Sequence, residues 1–150
     1  MLFVECNESA RPYGLPSHRH LAEIEQELSN AAGEPVIIQF APHLIPLNRG
    51  ILSTIHVDPV TKVTTDSLEE LYETAYGSEW FIRLLGSSRY PDIKNVVGTN
   101  RLEIAWRVDP RTGRVILMSA VDNLVKGAAG QAIQSFNVMN GWDEALGLGF

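Results

Sequence analysis

The stretch that decides the fold is RLEIAWRVDPRTGRVILMSAV, residues 101–121. Its first part alternates apolar with polar or small side chains, the two-residue period of a half-buried β-strand, with apolar positions at Leu102, Ile104, Trp106 and Val108. Residues 109–113 carry turn-forming types, and an apolar run follows over 115–121. The stretch therefore predicts a β-hairpin.

Shorter strand and helix patterns surround this hairpin. Apolar residues at helical spacing predict helices over residues 20–31, 66–76 and 123–140. Short polar side chains cap free backbone N–H groups, so we expect helix caps from Ser17, from Asp66 or Ser67, and from Asp122. Apolar runs predict further strands over residues 1–5, 36–40, 51–57, 80–85 and 93–97, with loops over 7–17 and 41–50.

This order of elements predicts an α+β fold with a mostly antiparallel sheet covered by helices on one side. In the last helix one face is shared by Leu124, Ala128, Ala132, Phe136 and Met139. The small residues from Gly127 to Gly130 lower the intrinsic stability of that helix. We therefore expect another part of the protein to approach it closely.

Composition excludes several classes of protein. The 150 residues fit one domain, and 45% hydrophobic with 20% charged residues is a globular balance. A net charge of −6 without a run of Lys or Arg argues against nucleic acid and anionic membrane surfaces as partners. No apolar stretch is long enough to span a bilayer and no export signal is evident, so we expect a cytoplasmic protein. The single cysteine, Cys6, is expected to be a small buried hydrophobe.

The sequence contains no glycine-rich dinucleotide loop, P-loop, C-x-x-C, H-E-x-x-H or G-x-S-x-G motif. A metal site would have to use His18 and His20 with His43 or His56, and no known ligand spacing supports it. We therefore predict no metal.

The triplet His18-Arg19-His20 is the first candidate site. Two imidazoles can act as general acid or base near neutral pH, and the guanidinium can hold an anion. Glu23, one turn further on, can orient one imidazole by accepting its N–H. The alternative is that both histidines are solvated loop residues and that Glu23 lies on a solvated helix face.

A second group of candidates carries positive charge or lies in a long loop. Arg49 can bind a substrate carboxylate or phosphate, or form an ordinary salt bridge, and His43 lies in the same loop. Lys126, beside the small residues of the last helix, can reach a phosphate or be merely solvated.

Three blocks resemble N-acetyl-gamma-glutamyl-phosphate reductase, in its C-terminal catalytic and dimerisation domain. They are SHRHLAEIEQEL at residues 17–28, FAPHLIPLNRGIL at 40–52 and DNLVKGAAGQA at 122–132. The related aminoadipyl-phosphate reductase of lysine biosynthesis looks similar in the same blocks. The resemblance also implies the α+β fold of the C-terminal domains of glyceraldehyde-3-phosphate and semialdehyde dehydrogenases.

The resemblance implies NADPH-dependent reduction of an acyl phosphate to an aldehyde in arginine biosynthesis, through a cysteine that this sequence does not contain. It implies catalytic roles for His18, His20 and Glu23, and substrate contacts from Arg19, His43 and Arg49. On the nicotinamide side it implies cofactor contacts from Asn123, Lys126 and Gly127.

The resemblance further implies a catalytic and dimerisation domain over residues 1–121. It implies that residues 122–150 pack against a nucleotide-binding domain not present in this sequence, and that the protein is a homo-oligomer, a dimer or tetramer. The alternative of a different class is a truncated, non-catalytic dimerisation or binding module.

Overall fold

The computed structural model describes Val4 and residues 6–149. The chain divides into two compact units, Met1–Asn48 and Arg49–Phe150. The strand predicted over residues 1–5 lies outside the described residues, apart from Val4.

The first unit is built around one helix. Strand β1 (Arg11–Pro12) pairs antiparallel with β2 (His43–Leu44), and helix α1 (Leu21–Ala32) lies between them in the chain. This confirms the helix predicted over 20–31. The cap predicted from Ser17 is wrong: the N-cap residue is His20, its side chain makes no capping bond, and the N–H of Leu21 donates to the carbonyl of His18.

The strand predicted over residues 36–40 does not form. The backbone N–H of Val36 donates to Ser29 Oγ (2.9 Å), and that of Ile38 donates to Glu25 Oε1 (3.1 Å). Side chains of α1 therefore take the donors that a neighbouring strand would otherwise use.

The second unit contains a four-stranded sheet made of β3 (Ile51–Val57), β4 (Ile82–Gly86), β5 (Leu102–Val108) and β6 (Val115–Val121). The order is β3-β6-β5-β4, with β4 parallel to β5 and the other pairs antiparallel. The predicted hairpin is confirmed as β5 and β6. The expectation of a mostly antiparallel sheet with helices is also confirmed.

Helix α2 (Thr65–Tyr76) packs against one face of the sheet. Its Tyr72 ring stacks on the fully buried Trp106 of β5, with ring centroids 4.4 Å apart, and Leu68 and Val115 join the same core cluster. The helix is confirmed, but its cap is Thr64. Ser67 is the third helical residue, and it bonds reciprocally with Thr64 in a capping box.

The strand predicted over residues 93–97 is wrong, because the structure has a single helical turn there, α3 (Ile93–Val96). Asp92 caps this turn by accepting the N–H of Lys94 (3.0 Å). The buried Glu103 of β5, which points away from the Trp106 face, accepts the N–H of Asp92 (3.1 Å). A cap and a buried carboxylate therefore outweigh the strand propensity of the apolar run.

The last predicted helix is interrupted. A π-helical turn (Val125–Ala129) precedes helix α4 (Gly130–Met139), and Asp122 caps the segment as predicted. The apolar residues expected to share one face do so, and that face points outward: the exposed side chains are Leu124, Ala128, Ala132, Phe136 and Met139. The inward positions are Gly130, Gln134 and Asn137, because the wider π turn shifts the helical phase and the interior partners are polar.

Candidate functional site

The first unit gathers three aromatic rings around His18. Its imidazole makes edge-to-face contacts with Tyr13, His20 and Phe40, at centroid distances of 5.3, 4.9 and 5.4 Å. The backbone N–H of His20 donates to His18 Nδ1 (3.2 Å). In the neutral imidazole of His18 the proton therefore lies on Nε2. The sequence singled out the two histidines, and the structure brings their rings together.

The other candidates in this unit lie at its surface. Arg19, His20 and Glu23 are exposed, and no hydrogen bond joins Glu23 to either imidazole among the described residues. His43 is exposed on β2, and its Nδ1 donates to the carbonyl of Ala41 (3.0 Å). Tyr13 and Phe40 were missed by the sequence reasoning, because only the pairing of β1 with β2 brings their segments together: the N–H of Tyr13 bonds the carbonyl of Pro42.

The second unit holds a hub of hydrogen bonds around one buried carboxylate. Asp122 is fully buried, and Arg49 binds it through Nη2, at 2.7 Å from Oδ1 and 2.6 Å from Oδ2, and through Nε, at 3.2 Å from Oδ1. The backbone N–H groups of Gly98, Leu124 and Val125 donate to the same carboxylate at 2.7, 2.8 and 3.1 Å. One side chain thus joins three separate segments of the chain.

These contacts decide the ionisation of Asp122. Burial alone would raise the pKa of the carboxyl, but the hydrogen bonds from Arg49 and from the three backbone N–H groups outweigh it. The pKa of Asp122 is held well below its ordinary value of 3.8. The group is therefore a carboxylate at neutral pH, and it neutralises Arg49.

Asn123 lies next to this hub with its amide fixed. The N–H of Gly50 donates to Asn123 Oδ1 (2.6 Å), so the two N–H bonds of Nδ2 are the donors left to the side chain. Gly50 has φ +102°, and a Cβ there would collide with Ile93 Cγ2. A glycine is therefore required where the chain turns into β3.

Lys126 is engaged within its own unit. Its Nζ donates to Gln134 Oε1 (2.6 Å), which also accepts from Asn100 Nδ2 (3.0 Å), and the ammonium lies 5.4 Å from the centroid of the Phe81 ring. Burial lowers the pKa of Lys126, against the opposing effect of the Glu144 and Glu79 carboxylates. The described structure thus shows Lys126 tying the π turn to α4.

The small residues of this segment have a cause within the same chain. A Cβ at Gly130 would collide with Asn100 Oδ1 and come within 2.8 Å of the Val125 carbonyl oxygen. At the exposed Gly127 the nearest atom to a Cβ would be the Asp122 carbonyl oxygen, at 3.1 Å. The close approach expected from the sequence therefore exists at Gly130, and Asn100 makes it.

Two other kinds of feature are absent from the described residues. Within Val4 and residues 6–149, no group of three or more His, Cys, Asp or Glu side chains is placed to hold a metal ion. In the same part of the chain no helix is long and apolar enough to cross a membrane.

Comparison with known proteins matches residues 1–123 to the family model of the semialdehyde dehydrogenase dimerisation domain. The chain belongs to this family. The chain is similar in sequence to the N-acetyl-gamma-glutamyl-phosphate reductase of Akkermansia muciniphila. The two are 58% identical over 148 residues, which are 99% of this chain and 43% of that protein. The reductase of Alkaliphilus metalliredigens is 51% identical over 98% of this chain and 42% of its own length. The resemblance seen in the three sequence blocks is confirmed.

Solved semialdehyde dehydrogenases show the same fold. Aspartate semialdehyde dehydrogenase from Francisella tularensis superposes with a TM-score of 0.71 at 16% identity, over 90% of this chain and 40% of that one. Aspartate semialdehyde dehydrogenase II from Vibrio cholerae gives 0.66 at 18% identity, over 83% and 38%. This chain thus spans about 43% of the curated relatives' length and has the fold of a semialdehyde dehydrogenase domain.

Proposed function

We propose that the chain is the C-terminal catalytic and dimerisation part of an NADPH-dependent reductase that converts N-acetyl-glutamyl phosphate to N-acetyl-glutamate semialdehyde in arginine biosynthesis. The observation that carries the proposal is the contact between the imidazoles of His18 and His20, 4.9 Å apart, in a chain of this family. Two adjacent imidazoles on a supported loop are suited to moving protons at a reacting carbonyl.

The two histidines differ in a way that suggests separate roles. His18 is half-buried against Tyr13 and Phe40, and its Nδ1 is occupied by the N–H of His20. The ring of His20 is exposed. We therefore assign the acid and base role to His20 and the orientation of its ring to His18, with Glu23 as the carboxylate that meets an imidazole once substrate is bound. Arg19 and His43 are the proposed contacts to the anionic substrate.

The nicotinamide end of the cofactor suits the second unit. Asn123 has both N–H bonds of Nδ2 available, and a carboxamide oxygen is an acceptor for them. Gly127 is exposed without a side chain and allows close approach, and Lys126 holds the turn in place. NADPH, when bound, supplies the hydride that reduces the acyl group. The dinucleotide phosphates need a glycine-rich loop, which this sequence lacks.

The exposed apolar face of α4 supports the proposal that a partner domain packs there. Apolar side chains there are exposed, among them Met139 at 84% and Phe136 at 53%, and so is Trp142, at 52%, which follows α4 and contacts Phe136. Such a surface indicates an interface, and the relatives have more than half of their length beyond the region matched. We propose that residues 122–150 pack against a nucleotide-binding domain, which also brings the bulk of the cofactor.

Two further properties belong to the proposal. The family is a dimerisation domain, so a homo-oligomer is expected, as a dimer or a tetramer. A biosynthetic reductase that uses NADPH is expected to work in the cytoplasm.

The test uses the longest natural protein that carries this chain. Phosphate-dependent reduction of NADP by N-acetyl-glutamate semialdehyde is measured for the wild type and for His20→Ala and His18→Ala. We expect the first variant to lower kcat by about 10²- to 10⁴-fold, and the second to lower it less. His56→Ala is the matched control, since this histidine is exposed on β3 and outside the cluster.

Unchanged turnover in both cluster variants would remove the site assignment. Turnover of aminoadipate semialdehyde in place of the acetyl-glutamate compound would move the substrate to lysine biosynthesis. A wild type that turns over neither would favour the non-catalytic module.

A further inference from the structure

We propose that Arg49 and Asp122 form a positioning pair that fixes Asn123 for the nicotinamide cofactor, so that Arg49 acts on the protein and not on the substrate. The inference rests on the proposed function, since it needs a nicotinamide cofactor at Asn123. It reassigns Arg49, which the sequence suggested as a substrate contact.

The sheet places the two segments beside each other. The antiparallel ladder of β3 and β6 ends with Ile51 opposite Val121. Residues 49–50 and 122–123 therefore follow at the same end of the ladder, where Arg49 meets Asp122 and the N–H of Gly50 meets Asn123 Oδ1. Two parallel links, one between side chains and one from the backbone, join these neighbours.

The guanidinium is committed to a buried partner. Arg49 Nη2 contacts both oxygens of Asp122, and the Asp122 side chain has no exposed surface. An anionic substrate would have to displace this carboxylate and leave a buried charge without its partner, which is costly. The geometry thus favours a permanent ion pair over a contact that forms with each turnover.

The same carboxylate also fixes the start of the π turn. Oδ1 of Asp122 accepts the N–H groups of Leu124 and Val125, which flank Asn123 on its C-terminal side, while Oδ2 accepts the N–H of Gly98. Loss of the pair therefore weakens the anchor of the carboxylate that holds the backbone N–H groups of Leu124 and Val125, beside the Asn123 amide. An exposed pair in the same unit, Arg114 with Asp58 at 2.7 Å, joins two segments and, within Val4 and residues 6–149, shows no side-chain bond to a third, so it serves as a matched control.

The experiment uses the longest natural protein that carries this chain. The Kd for NADPH is measured by fluorescence titration, and KM for N-acetyl-glutamate semialdehyde by steady-state kinetics. The variants are Arg49→Ala, Asp122→Asn, the double variant, Arg49→Lys and Arg114→Ala.

We expect Arg49→Ala and Asp122→Asn each to weaken NADPH binding by about 10- to 100-fold, because a small misplacement of a positioned group is expensive. The double variant should bind NADPH no more weakly than the single variant with the higher Kd, since each substitution disrupts the same ion pair. Arg49→Lys, which keeps the charge but not the bidentate fork, should fall between wild type and Arg49→Ala. KM for the semialdehyde should change less than the Kd in all variants, and Arg114→Ala should match wild type.

The contrary result is a raised KM for the semialdehyde or for phosphate in Arg49→Ala with the NADPH Kd unchanged. If Asp122→Asn fails to fold, Arg49→Lys and Arg49→Ala decide between the two outcomes. A wild type that binds NADPH but reduces neither semialdehyde refutes the proposed function while the Kd series still tests the pair. A wild type that binds no nicotinamide nucleotide overturns both.

Discussion

Replacing Asp122 by Asn tests the hub at the end of the sheet. The substitution keeps the shape of the side chain but exchanges one acceptor oxygen for a donor NH₂ group. With the remaining oxygen at the Oδ1 position, the contacts of Leu124, Val125 and Arg49 to that oxygen survive, whereas the N–H of Gly98 and Arg49 Nη2 face a donor at the Oδ2 position. The variant therefore loses the charge of the pair and one charge-assisted backbone bond.

The magnitude follows from burial. Removing one partner of a buried ion pair costs about 3–5 kcal/mol, and a hydrogen bond to a charged group contributes about 1.5–3 kcal/mol. The side chain of Arg49 is 34% exposed and regains some hydration, so we expect a loss near the lower end, about 3 kcal/mol. The control Asp58→Asn breaks a pair whose side chains are 56% and 75% exposed, and should cost at most about 1 kcal/mol.

Urea unfolding followed by tryptophan fluorescence measures this difference. All three tryptophans, Trp80, Trp106 and Trp142, lie in the Arg49–Phe150 unit, so the signal reports the unit that contains Asp122. Equal and small losses for Asp122→Asn and Asp58→Asn, with unchanged m-values, would refute the reasoning.

The same variant has a pH signature. The pKa of Asp122 is lowered in the folded state, so its contribution is complete above the unfolded carboxyl pKa of about 4 and is lost as the pH falls below it. The stability difference between wild type and Asp122→Asn should therefore be constant from pH 7 to about 5 and shrink towards pH 2. A difference that grows on acidification would contradict the low pKa.

Three smaller predictions concern the helices. Gly130→Ala should destabilise the chain by about 1–3 kcal/mol in urea unfolding, because its Cβ would collide with Asn100 and the Val125 carbonyl. Gly127→Ala should destabilise the chain less, or stabilise it, because the position is more open. The reverse order of the two variants would contradict the geometry. Thr64→Ala should cost about 1 kcal/mol through loss of the capping box, and no loss would mean that the cap is not used in solution. Phe136→Ser, on the exposed face of α4, should leave the stability of the isolated chain within about 0.5 kcal/mol but weaken its association with a separately expressed nucleotide-binding domain, measured by calorimetry.

Local patterns predicted the fold where neighbours in sequence are also neighbours in space. The hairpin over residues 101–121 is such a case, because its period and its turn lie in one stretch. The run over 36–40 is also rich in apolar and β-branched residues but forms no strand, because Ser29 and Glu25 accept hydrogen bonds from its backbone N–H groups. The shared apolar face of the last helix was predicted, but its interruption was not, because no residue pattern indicates the π turn that precedes α4.

The sequence predicted residues of the site but not which of them contact one another. Arg49 and Asp122 were both singled out, one as a substrate contact and one as a cap, but their contact could not be predicted because they are 73 positions apart in the sequence. The strands that join them were predicted, at 51–57 and 115–121, but their adjacency depends on strand order, which a single sequence does not contain. Asn100 and Gln134 were missed for the same reason.

The most direct test of the central claim is phosphate-dependent reduction of NADP by N-acetyl-glutamate semialdehyde, measured for this chain alone and for the chain mixed with a separately expressed nucleotide-binding domain. The account predicts activity only in the mixture, because the sequence holds the histidine cluster and the Asn123 region but no dinucleotide loop. An inactive mixture whose components demonstrably associate would contradict the catalytic assignment. Activity of the chain alone would contradict the need for a second domain.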